Sequence, residues 1–124
     1  MKKIILFTTV LATLLSFNSC ENEYKTIELS TKRVELNAEA QTAIVTSDGL
    51  DMVQCIEGEE LVGTGNGKVK EIVGDWFVLK DTDQGWRNIE IKVEKNTTGK
   101  DRGFYVDVMR WNTCSQFRVV QKAQ

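Results

Sequence analysis

From Gly85 to Met109 the chain reads G-W-R-N-I-E-I-K-V-E-K-N-T-T-G-K-D-R-G-F-Y-V-D-V-M. Two apolar series stand in this stretch. Ile89, Ile91 and Val93 alternate with Asn88, Glu90 and Lys92, and Phe104, Val106 and Val108 alternate with Tyr105, Asp107 and Met109. A period of two places one series on one face of a strand, whereas a helix would bring apolar residues back every three or four positions. Between the series, Asn96-Thr97-Thr98-Gly99 supplies turn chemistry, so the stretch predicts two strands joined by a short connection.

The same period runs outward on both sides. Ile27/Leu29, Val34/Leu36 and Ala43/Val45 precede a turn at Ser47-Asp48-Gly49, and Asp51 to Ile56 predicts a further strand. Trp76 to Leu79 forms a compact apolar strand ending at Asp81-Thr82-Asp83-Gln84-Gly85, and Phe117/Val119 closes the series. The segment Gly63-Thr64-Gly65-Asn66-Gly67 predicts a mobile hairpin tip between two flanks, Glu60 to Val62 and Lys68 to Val73. Seven to nine strands without a helical window predict an all-β protein, an antiparallel sandwich or a barrel, since each one-faced sheet needs a second layer. The expected inward residues are Leu36, Val45, Trp76, Ile89, Ile91, Val93, Phe104, Val106, Val108, Phe117 and Val119.

The amino terminus is of another kind. Lys2 and Lys3 precede the uncharged run from Ile4 to Phe17, which has the length of a signal-peptide apolar region and is short for a membrane span. Asn18-Ser19-Cys20 follows, and then the acidic Glu21-Asn22-Glu23. This arrangement resembles a bacterial lipoprotein signal, which implies lipidation of Cys20 and a membrane held through that lipid; a plain secretory signal and a retained anchor helix are the alternative readings. The chain then divides into residues 1–19 as signal peptide, 20–25 as lipidated cysteine and tether, and 26–124 as one domain. The acidic residues behind Cys20 resemble the signal that sends Bacteroidetes lipoproteins to the outer face of the outer membrane.

Composition narrows the chemistry. There are 124 residues and no His, so no catalytic arrangement that uses imidazole to shuttle protons is open to the chain. Without Lys2 and Lys3, 14 basic residues face 18 acidic ones and are scattered among them, which gives a nucleic-acid backbone nothing to bind. No cofactor or metal is expected. The acids Glu57/Glu59/Glu60 and Asp81/Asp83 are the candidates for a glycosidase pair, and Asp81-x-Asp83 for calcium. Both are read as solvated turns, and the chain is read as a non-enzyme.

The final fifty residues resemble the BACON domain, an immunoglobulin-like sandwich of Bacteroidetes whose name records its association with carbohydrate-active proteins. The matching residues are Trp76 opening a strand, Asn96 ending one, Gly99 in the turn, Arg102 with the alternation Phe104/Val106/Val108 after it, and Gln121 closing the last strand. The segment from Thr26 to Ser47 resembles the opening strands more loosely, and Asp48 to Gly74 is longer than the family's usual connection. The resemblance implies an immunoglobulin-like β-sandwich, here with an extra glycine-rich hairpin. Read from the residues alone, Asn96 is expected to bond its own turn, Arg102 to reach carbonyls across the strand, and Gln121 to tie the last strand to a neighbour.

Two further pairs carry candidate function. With Cys20 assigned to lipid, Cys55 and Cys114 are the candidate disulfide, worth about 4 kcal/mol if formed; two separate thiols with Cys55 buried is the alternative. Trp86 and Trp111 are the candidate ligand-binding residues: Trp86 is out of phase with Ile89, and Trp111 sits in an apparent turn. Each reads either as core cover or as a ring for stacking on a sugar. Two functions follow. The chain is either a structural or interaction lipoprotein of the cell envelope that presents a sheet edge or the glycine hairpin to a protein partner, or a non-catalytic carbohydrate-binding module; a small glycan-active enzyme is the remote third.

Overall fold

A computed structural model describes residues 27–124. The leader and Cys20 lie outside the described residues. Among the described residues nine strands follow one another: β1 (Arg33–Leu36), β2 (Gln41–Thr46), β3 (Met52–Glu57), β4 (Glu60–Gly65), β5 (Glu71–Val73), β6 (Phe77–Asp81), β7 (Asn88–Val93), β8 (Arg102–Arg110) and β9 (Thr113–Gln121). They form a five-stranded sheet in the order β1-β9-β8-β3-β4 and a four-stranded sheet in the order β2-β7-β6-β5. Neighbours are antiparallel except for β1, which runs parallel to β9 from Arg33 opposite Arg118 to Leu36 opposite Gln121.

The period of two does what it predicts. All the residues expected inward are buried, and the two inner faces meet in one core. Phe77 of β6 stacks on Phe104 of β8 with ring centroids 3.8 Å apart, joining the sheets directly, while Trp76 meets both rings edge-on at 5.0 and 5.5 Å. Such aromatic pairs add to the area that the rings bury.

One end of the sandwich is closed by polar side chains. Asn96 and Gln121 are fully buried. Asn96 Nδ2 donates to the carbonyls of Lys100 (2.8 Å) and Lys122 (3.1 Å), and its Oδ1 accepts from the Thr98 amide and hydroxyl. Gln121 Nε2 donates to Glu94 O at 2.9 Å, and its Oε1 accepts from Arg102 Nε at 2.9 Å. The Arg102 guanidinium also donates to Glu94 O and Lys95 O, and lies over the Trp76 ring at 4.2 Å. The structural roles read for Asn96, Arg102 and Gln121 are therefore present.

The glycine-rich hairpin is absent in the expected form. Gly63 and Gly65 lie inside β4, which pairs with β3 across the Gly58-Glu59 turn, while β5 belongs to the other sheet. The chain changes sheet through Asn66, whose Oδ1 accepts from the amides of Lys68 and Val69 at 2.8 Å. The glycines serve close packing rather than freedom: a Cβ on Gly65 would lie 2.3 Å from Trp86 Cζ2, and one on Gly63 2.9 Å from Ile72 Cγ2. Gly65→Ala is expected to cost about 1–3 kcal/mol by overpacking, measured by urea unfolding; a change below about 0.5 kcal/mol would mean that Trp86 can move aside.

Candidate functional site

Trp86 is a core residue. It lies in the turn before β7, at φ +56°, so the alternation of Ile89 and Ile91 does not extend to it. That turn swings the indole inward, where it is wholly buried against Gly65 and donates Nε1–H to Asn66 O at 3.0 Å. A left-handed backbone costs a bulky residue about 1–2 kcal/mol, which burying an indole more than offsets. No face of this ring is available to a ligand, which removes Trp86 from the candidate binding residues.

Trp111 stands at the opposite extreme, 73% exposed. Arg110 pairs with Thr113, leaving Trp111 and Asn112 as a two-residue hairpin loop with positive φ (+58°) at its first position. The loop is held firmly. The Trp111 amide donates to Asp51 Oδ2 at 2.7 Å. Arg110 forms an ion pair with Asp48 at 3.0 Å and donates to the carbonyls of Asp48 and Gly49. Partial burial works against the Asp48 carboxylate, but hydrogen bonds from Arg110 and from the Glu28 amide hold its pKa below the ordinary value.

Beside Asp48 lies a shallow cavity of about 250 Å³ lined by Glu28, Leu29, Ser30, Thr46, Ser47 and Asp48. It forms because residue 29 bridges to residue 47 outside the named strands. Sequence reasoning missed it, since no local pattern announces that pairing.

A second feature was legible only in part. Across the outer face of the five-stranded sheet the registers align Arg33, Arg118, Tyr105, Ile56 and Leu61 in one row. Tyr105 and Leu61 are exposed, and the Arg118 guanidinium lies 5.2 Å above the Tyr105 ring.

Cys55 and Cys114 are not bridged to each other. Cys55 is a free thiol that points into the core opposite Val106, whereas Cys114 pairs with Met109 on the outer face, with β8 between the two strands. Opposite faces put the two Cβ vectors apart, which no disulfide geometry tolerates. Burial, with a smaller effect from the Asp107 charge, pushes the Cys55 thiol from 9.0 up to about 12.

The acidic clusters are dispersed. Glu57 accepts the Trp76 indole N–H at 2.6 Å, while Glu59 and Glu60 are exposed. Asp81 turns inward and accepts the Asp83 amide at 3.1 Å, with Asp83 itself exposed, so the two carboxylates do not converge. Among the described residues no three acidic or thiol groups gather as metal ligands.

With this geometry in place, three solved structures are informative. A protein from Bacteroides thetaiotaomicron, determined by NMR, is similar with a TM-score of 0.64 and 19% identity over 84% of this chain and 92% of its own. A Bacteroides ovatus GH5 xyloglucanase in complex with a XXXG heptasaccharide matches with a TM-score of 0.53 and 18% identity, over 80% of this chain and 19% of the enzyme. Dpr1 IG1, bound to DIP-eta IG1, matches with a TM-score of 0.50 and 4% identity over 82% and 98%. The fold is immunoglobulin-like. No protein-family model and no curated protein matches the chain. At these identities the Ig-like fold is what the likeness carries.

Two expected outcomes follow from the site. Trp86→Ala should cost about 3–5 kcal/mol, and Trp111→Ala less than about 0.5 kcal/mol, in parallel thermal unfolding; comparable losses would place Trp111 in the core. Because the Cys55 pKa is raised on folding, its contribution is fully present below pH 9.0 and is lost as pH climbs toward about 12. Stability should fall in that window with a slope approaching about 1.4 kcal/mol per pH unit, a slope that Cys55→Ala should flatten when unfolding is compared at about pH 8 and about pH 10.5.

Proposed function

We propose that the chain is a lipid-anchored, non-catalytic interaction protein of the cell envelope that holds one Ig-like sandwich at the outer membrane. The observation that carries this reading is the outward row from Arg33 through Arg118, Tyr105 and Ile56 to Leu61, exposed except at the half-buried Ile56. Tyrosine and arginine on a rigid sheet give area and directional charge with little entropy to lose, the composition of protein-binding surfaces. The fitting partner is an envelope protein with an apolar patch bordered by carboxylates.

The anchor is supported by Lys2 and Lys3, the run from Ile4 to Phe17, and Cys20 with its acidic tether. The BACON plan is supported by the bonding that Asn96, Arg102 and Gln121 make at the closed end. Carbohydrate binding is the second reading, favoured by the exposure of Trp111 and by the sugar-bound xyloglucanase among the similar structures.

Cys20→Ala should move the protein from the membrane to the soluble fraction and abolish acyl labelling; labelling that persists overturns the anchor. A photo-crosslinker placed at Leu61 in living cells should capture one envelope protein that the same group at Lys80, on the opposite sheet, does not. Equal capture at both positions, or none at Leu61, overturns the interaction surface.

A further inference from the structure

We propose that the partner of the outward row described above is a second copy of this chain, docked face to face about a twofold axis that runs along β8 through Tyr105; this rests on the interaction surface already proposed and gives its occupant.

A twofold contact needs a surface that complements itself, because whatever one residue offers, another residue of the same patch must accept. The row meets this condition because its two halves differ. On one side of Tyr105 stand Arg118 and Arg33; on the other stand Ile56 and Leu61, with the exposed acids Glu59 and Glu60 at the turn beside them. Tyr105 lies on the third of the five strands, so rotation about β8 lays Arg118 over Ile56 and Arg33 over Leu61 of the other copy, and the reverse. The arginine methylenes then cover apolar side chains while the guanidinium groups reach Glu59 and Glu60. An apolar patch bordered by carboxylates is what the arginine side of the row fits, and the chain carries one itself.

The charges are available for this. Among the described residues no ion pair uses Arg118, Glu59 or Glu60, and the Arg33–Glu35 pair is exposed on both sides, hence weak and exchangeable. Arg118 lies over its own Tyr105 ring at 5.2 Å, which keeps its guanidinium above the face. Asp107, two residues along β8 from Tyr105, meets its own counterpart near the axis and opposes the contact; Gln116 Nε2 donates to it at 2.6 Å.

Size sets the strength. The five strands span about 19 Å and the outward residues of β8, from Gly103 to Met109, about 20 Å, so each copy offers about 400 Å² against about 800 Å² in a standard interface. Such a contact is weak between free molecules. It gains when the lipid anchor proposed above confines two copies to one membrane and raises their effective concentration.

The test uses the full-length chain in living cells, as two copies with different epitope tags and the photo-crosslinker at Leu61. An adduct carrying both tags is expected. Arg118→Glu in both copies should cut that adduct at least tenfold, as should Glu59→Arg combined with Glu60→Arg, at unchanged melting temperatures. When one copy carries Arg118→Glu and the other the two glutamate changes, opposite charges face each other again at both contacts, and the adduct should return to near its parental yield. Asp107→Asn should increase it. If the mixed pair does not recover, or Asp107→Asn leaves the yield unchanged, pairing about β8 is overturned. If Leu61 captures a different protein and no second copy, this partner is overturned while the interaction surface stands. If Leu61 captures nothing, both fall.

Discussion

Gln121 sits in the last strand with no exposed surface, and the rest of the sandwich has to be arranged so that its amide finds partners. They come from everywhere: Arg102 on β8, Glu94 at the end of β7 in the other sheet, and Ala38 and Glu39 between β1 and β2. Leaving one such buried group unmatched costs about 1–3 kcal/mol, whereas its net gain when matched is smaller. The amide thus contributes little stability over a well-packed apolar residue and much selectivity among ways of stacking two sheets. The parallel pairing of β1 belongs to the same constraint, since Leu36 lies opposite Gln121 and accepts the Lys122 amide.

The opposite end depends on Trp86 in a comparable way. β8 runs from Arg102 to Arg110, so about 27 Å separates the Gln121 end from Trp111. Beneath that far end, the Trp86 turn holds the segment from Ser47 to Leu50: Ser47 Oγ donates to Trp86 O, Ser47 N to Arg87 O and Leu50 N to Gly85 O. This segment carries Asp48, which binds Arg110, and leads into Asp51, which binds the Trp111 amide. A buried tryptophan therefore positions the backbone of an exposed one through the loop between them.

What the sequence disclosed was what a period of two encodes. Ile89, Ile91 and Phe104 could be assigned to the core because the neighbours on either side of each are polar or belong to the other face. The period fails where the backbone leaves the extended region: three successive residues, Gln84, Gly85 and Trp86, have positive φ, and phase counted through them has no meaning. Glycine is ambiguous for a related reason. Freedom at a tip and the room to admit Trp86 or Ile72 require the same residue, and only the partner, distant in sequence, distinguishes them. Cys55 and Cys114 were undecided because β8 separates their strands, a fact of topology rather than spacing. Of the candidate binding residues, Trp111 was recognisable as a turn residue, but the carboxylate that holds its amide, Asp51, arrives from just before β3, distant in sequence.

Topology also decides which part of the sandwich is open to a protein. Four strands end the sheets, and an unpaired edge invites another strand unless something blunts it. β1 has four residues and β5 three, too short for a useful ladder. β2 is partly covered by the bridge from Leu29 to Ser47 and by the Ser30 amide bonding Thr46 O. β4 is longer, but its register against β3 shifts between Cys55 and Ile56, and its glycines hold it against Trp86 and Ile72. With the edges blunted and the glycine segment packed, the outer face is where the proposed protein contact is placed. There Leu61 marks where the same strand that makes a poor edge places an apolar side chain outward, in line with Ile56 and Tyr105.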